Sequence, residues 1–120
     1  MRSEQFNAFC AALPSTTHVI QWGDHHVWKV GGKVFAIGSG ADTEPRYTFK
    51  VSEIAFEVLK AQAGLRPAPY LASRGLLWIQ HHAEPGLSDD ELRAYLQQSH
   101  ALVAQGLSKK MRAELGLGAR

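Results

Sequence analysis

The sequence predicts an α+β two-layer sandwich, a mainly antiparallel sheet of about five strands with helices packed on one face. Three observations carry that prediction. Gly31-Gly32 separates two runs rich in valine and aromatic residues, His25 to Val30 and Lys33 to Ile37. A glycine pair between such runs marks a two-residue hairpin turn, because both central positions need positive φ. Arg46 to Val51 alternates, with Tyr47, Phe49 and Val51 pointing one way and Arg46, Thr48 and Lys50 the other, as in a half-buried strand with a basic outer side. At both ends of the chain apolar residues recur instead at helical spacing.

Near the N-terminus Phe6, Phe9, Cys10 and Leu13 fall at i, i+3, i+4 and i+7, so Ser3 to Leu13 reads as a helix that Ser3 caps and Pro14 ends. Cys10 lies in that stripe and reads as a small core side chain, since no neighbouring base marks it as a nucleophile. Thr17 to Trp22 follows as a first strand, with Gly23-Asp24 as a two-residue turn and the glycine hairpin as strands two and three. In that register Trp28 faces Phe35 and Val27 faces Ala36. Val19, Trp28, Val30, Phe35 and Ile37 are assigned inward because they include the larger opposed aromatics, and Ile20, Trp22, Val27, Lys29 and Val34 outward. Both sets are apolar, and a slip of one residue exchanges them.

Gly38 to Pro45 reads as a loop long enough to project as a wing from the sheet edge, ahead of the fourth strand. Ser52 caps a second helix, Glu53 to Ala63, that Gly64 stops; its Ile54, Ala55, Val58 and Leu59 stripe faces the sheet and Glu57 and Lys60 form a solvated pair. Pro67 and Pro69 make Leu65 to Gly75 irregular, and Leu76 to His81 is the last strand. Ser88-Asp89-Asp90-Glu91 is a capping box for the longest helix, whose buried side runs from Leu92 through Tyr95, Leu96, Ser99, Leu102 and Val103 to Leu107. The segment from Ser108 carries Lys109, Lys110 and Arg112 against Glu114 and then frays through Gly116 and Gly118, giving a single domain over 1–115 and a flexible tail at 116–120.

At 120 residues, 45% hydrophobic and 20% charged, the chain is long enough to bury a core without disulfide or metal. One cysteine makes no internal disulfide, no apolar run approaches the roughly 18 residues that span a bilayer, and Met1 to Phe6 lacks the apolar core of a signal peptide. A soluble, cytoplasmic monomer with no membrane association is expected. The formal charge of +2 and pI near 8.9 permit a polyanion partner without demanding one.

The string from Trp22 through Gly31-Gly32 to Ala36 resembles the MmcQ/YjbR family. The resemblance extends to Phe49-Lys50-Val51, to Pro67-Ala68-Pro69-Tyr70 leading to Trp78-Ile79, and to the closing helix with Ser99, Leu102-Val103 and Lys109-Lys110, and so covers nearly the whole chain. It implies a CyaY-like, frataxin-like fold and DNA binding through a double-wing arrangement of loops and strands. The matching cations are Lys33 beside the glycine turn, Lys50 ending the fourth strand, and Arg74 before Trp78. His100 departs from the family, many members carrying an aromatic residue there.

Nucleic-acid binding needs cations that displace counterions and, for single strands, exposed rings on which bases stack. Lys29, Lys33, Arg46, Lys50 and Arg74 supply the first; Trp22 or Trp78, whichever the helices leave outside, supplies the second, and Trp78 is taken as the candidate. The plain alternative is that these cations merely keep the sheet soluble and its edges unpaired. A module for a small hydrophobic ligand or a protein partner is the runner-up, from the apolar surplus on the second sheet face, with metal handling a distant third. Adjacent strand residues point to opposite faces, so neither His25-His26 nor His81-His82 converges on one ion. No CxxC, HExxH, P-loop, GxGxxG or nucleophile–base spacing occurs, so no catalysis, cofactor or metal is expected.

Overall fold

Gly31 and Gly32 take φ of +59° and +79°, so the central chain reverses within two residues as the glycine pair requires. Around that turn the computed structural model, which describes residues 1–39, 45–69, 71 and 75–117, forms α1 (Ser3–Ala12), β1 (Thr16–Gln21), β2 (His25–Val30), β3 (Lys33–Gly38), β4 (Tyr47–Lys50), α2 (Glu53–Leu59), β5 (Leu65–Pro67), β6 (Trp78–His81), α3 (Asp89–Gln105) and α4 (Lys109–Glu114). The six strands form one antiparallel sheet in the order β1-β2-β3-β4-β6-β5. The extra strand is β5, where the sequence reads as irregular. Pro67 sits on the sheet's edge, where a missing N–H costs no ladder bond.

Three local departures from the simple pattern decide which side chains face where. Gln21 pairs with His25, so Trp22, Gly23 and Asp24 make the β1–β2 loop, one residue longer than the predicted turn. Trp22 and Gly23 take φ of +51° and +83° there, and His25 Nδ1 donates to the Trp22 carbonyl at 2.9 Å. Between β2 and β3 the register starts as Val30–Lys33 and Lys29–Val34 but resumes as Trp28–Ala36 and Val27–Ile37. Phe35 is thus the extra residue of a β-bulge and does not stand opposite Trp28. Trp28, Val30 and Phe35 face the core as predicted, while Val19 and Ile37 lie with Val27 on the opposite side. Finally, α2 ends at Leu59 and turns Ala55, Phe56 and Leu59 toward the core, leaving Ile54 80% and Val58 55% exposed. The large Phe56 ring displaces the predicted stripe.

The core lies between the sheet and the helices. Phe6 of α1 stacks on Tyr47 of β4 at 4.6 Å, Leu92 and Leu96 of α3 are fully buried, and Leu107 packs against Gly31 so closely that a Cβ there would lie 2.6 Å from it. Ser3 is buried inside α1 rather than capping it, and Arg2 is the N-cap. Ser88 and Glu91 form the expected capping box on α3, and Ser99 donates to the Lys50 carbonyl, tying α3 to the end of β4. His100 is also buried, its Nε2 donating to the Pro14 carbonyl at 2.7 Å. The segment after Ser108 forms α4, capped by the Ser108 side chain. Most of the predicted wing loop, 40–44, lies outside the described residues.

Candidate functional site

Strand alternation places a set of cations on the face away from the helices. Lys29 lies between core residues Trp28 and Val30, and Lys50 between Phe49 and Val51, so both project from the opposite side. Two strand spacings, roughly 10 Å, separate β2 from β4. In the next row Thr48 pairs with Gln80, and Gln80 with Arg66. Arg66 donates from Nε and Nη2 to Gln80 Oε1 at 2.9 and 2.6 Å, and Gln80 Nε2 donates to Thr48 Oγ1 at 3.3 Å. Beyond them Arg46 is held by its backbone, its N–H donating to Ser39 Oγ and its carbonyl accepting from the Ser39 N–H, both at 2.9 Å.

None of the six strands contains an aspartate or a glutamate. The described acids lie in the helices and loops, where Glu57 binds Lys60, Asp90 binds Arg93, and Asp89 binds the N-terminal amine. Among the described residues, Lys29, Arg46, Lys50 and Arg66 join none of these ion pairs. Their field reaches His82, whose pKa is lowered first by desolvation and then by Arg66 and Arg46.

A groove of about 410 Å³ opens on the same face, bordered by Trp22, His25, Ile37, Arg46, Thr48 and Gln80, with Ala68, Pro69 and Leu71 on its far wall. Trp22 is 64% exposed at its rim. A second cavity of about 470 Å³ lies at the end of the sheet, between Met1, Tyr47, His81, His82 and Glu84; Arg46 borders both.

Of the residues predicted from sequence, the fold places Lys29, Arg46 and Lys50 on one face of the sheet. Lys33 pairs with core-facing Val30 and emerges at the hairpin tip on the helix side, apart from them. Arg74 lies outside the described residues. Trp78 shares the side of Lys50, its pairing partner, but is only 8% exposed, so its ring is closed to stacking, whereas Trp22 is exposed. Arg66 and the Thr48–Gln80 pair went unnoticed in the sequence because β5 read as irregular, which hid the alternation that points Arg66 outward.

Other chemistry is remote from this face. Burial pushes the Cys10 thiol far above the ordinary range and leaves it unreactive. His18 Nε2 and His26 Nδ1 share a hydrogen bond at 2.8 Å, and among the described residues no group of three or more His, Cys, Asp or Glu converges to hold a metal. No helix among them is long and apolar enough to cross a membrane.

The architecture has solved counterparts. The crystal structure of Deinococcus radiodurans protein DR2400, with family-model domain DUF419, superposes with a TM-score of 0.85 at 22% identity, covering 98% of this chain and 90% of that one. A Pseudomonas syringae protein, solved as Northeast Structural Genomics Consortium target PsR293, superposes with a TM-score of 0.69 at 19% identity, covering 85% and 98%. At these identities the likeness is one of fold. No curated protein sequence matches the chain. The YjbR family model matches residues 11–102, well over half of the sequence and all six strands, and the chain therefore belongs to the YjbR family.

Proposed function

We propose that this protein binds nucleic acid, DNA in the first instance, without catalysing a reaction on it, using the helix-free face of a CyaY-like sandwich. The observation that carries the reading is the segregation of charge. Lys29, Arg46, Lys50 and Arg66 gather on a sheet whose strands hold no carboxylate, while the described acids sit on helices and loops. Uncompensated cations on one surface exchange the counterions of a polyanion, the main source of sequence-independent affinity.

Fluorescence anisotropy with labelled single- and double-stranded DNA at low and raised salt tests this. Binding at low salt that weakens steeply as salt rises is the expected result. No binding at low salt, or affinity indifferent to salt, defeats the reading. The apolar part of the groove, Ile37, Pro69 and Leu71, favours a small-ligand module as the second reading.

A further inference from the structure

Trp22 combines features that packing does not explain. It is a bulky non-glycine residue at φ +51°, a conformation that L side chains enter at a cost, and its ring is 64% exposed, so no burial offsets that cost. The loop is fixed from within. A carbonyl oxygen only accepts, so the His25 Nδ1 contact to the Trp22 carbonyl places the proton on Nδ1 and leaves Nε2 of the neutral ring as an acceptor. The indole therefore stands at the rim of the groove on a braced turn.

Opposite it the groove offers hydrogen-bonding groups already oriented. Gln80 Oε1 is committed to Arg66, and one Nε2 proton points at Thr48 Oγ1. Among the described residues nothing accepts the second amide proton or the Thr48 hydroxyl proton, which are left as donors for carbonyl oxygens, while Arg46 brings positive charge to the groove's edge. A volume of about 410 Å³ lies at the small end of ligand sites and is too little for a duplex.

We propose that the groove is a subsite for one unpaired nucleobase of a single-stranded nucleic acid, with Trp22 as its stacking wall, Gln80 and Thr48 as its polar floor, and Arg46 beside the adjoining phosphate. This rests on the nucleic-acid reading above and sharpens it, since a duplex presents no free base face and meets only the cations. Base–aromatic stacking is worth about 1–3 kcal/mol per base, so the single strand gains about tenfold from this contact.

The test compares three probes of equal length and charge per strand: oligothymidylate, the same backbone with abasic sites, and a duplex, each titrated against the wild-type chain and Trp22→Gly. Glycine suits the positive φ, so the variant keeps its fold, which circular dichroism and thermal melting verify. The expected result is quenching of the exposed tryptophan by oligothymidylate, binding about tenfold weaker to the abasic strand, and loss of that difference in Trp22→Gly. Equal affinity for thymidylate and abasic strands, or a Trp22→Gly variant that still discriminates them, overturns the subsite while salt-dependent binding of all probes leaves the nucleic-acid reading standing. Absence of binding to every probe overturns both.

Discussion

Replacing Lys29 and Lys50 together with alanine is the most direct probe of the basic face. Both project from the helix-free side, on β2 and β4, strands that lie roughly 10 Å apart, and neither joins an ion pair among the described residues, so their loss strands no buried partner. Each phosphate neutralised on a single strand contributes about −0.7 to the slope of log affinity against log salt. Four cations, Lys29, Arg46, Lys50 and Arg66, give a slope of about −3, and removing two halves it. Between 50 and 200 mM salt the wild type should then lose about 50-fold in affinity and the double variant only about 7-fold, read by anisotropy with a labelled oligonucleotide. Lys33→Ala is the internal control, because the register puts Lys33 on the other side of the sheet and its removal should leave the slope unchanged. Melting temperatures close to wild type establish that both variants are folded. A double variant with the wild-type slope, or a Lys33→Ala variant with a reduced one, refutes the assignment of the binding surface.

Three further outcomes follow from the packing. Ser99→Ala removes the hydroxyl that α3 donates to the Lys50 carbonyl within a fully buried site and should cost about 1–3 kcal/mol in denaturant unfolding; a loss below about 0.5 kcal/mol would show that the bond contributes little. Gly31→Ala and Gly32→Ala share the penalty of positive φ, but only at Gly31 does the new methyl meet Leu107, at 2.6 Å, so Gly31→Ala should be the more destabilising by about 1 kcal/mol or more; equal losses would mean that Leu107 moves aside freely. His81 has its pKa lowered below 6.5, chiefly by burial, with Glu84 acting in the opposite direction. Its unfolded form therefore takes up a proton first as pH falls. Stability should be level above about pH 6.5 and decline below it, with a shallower decline in His81→Gln, measured as melting temperature against pH.

Much of the fold is legible in the sequence because its signals are local. Gly31-Gly32 admits one kind of turn, the Ser52 and Ser88 caps need only their own helices, and alternation through Arg46–Val51 suffices to send Lys50 outward. What escapes depends on partners distant in sequence. The bulge at Phe35 arises because both Phe35 and Ala36 are buried under the helices, Phe35 edge-on to His100 at 5.3 Å, and no spacing within β3 announces it. The strand at Leu65–Pro67 exists only because β6 offers it an edge, and without it Arg66 cannot be placed. The face of Trp78 follows from alternation, whereas its burial does not, since only the folded chain determines what lies over it. Trp22 emerges as the exposed ring for the converse reason: its loop is one residue longer than a glycine-first turn suggests.

The bulge gives β3 two phases. Up to Val34 the strand keeps step with the glycine turn, and from Ala36 onward the parity is reversed, so that Ile37 borders the groove instead of entering the core. Were the strand to run without the bulge, with Phe35 kept and placed opposite Trp28, Ala36 would pair with Val27, Ile37 would turn away from the groove and Gly38 would come round toward it. A slip of one residue, with no change of charge or composition, would thereby take Ile37 out of the groove's wall while leaving the strand itself intact.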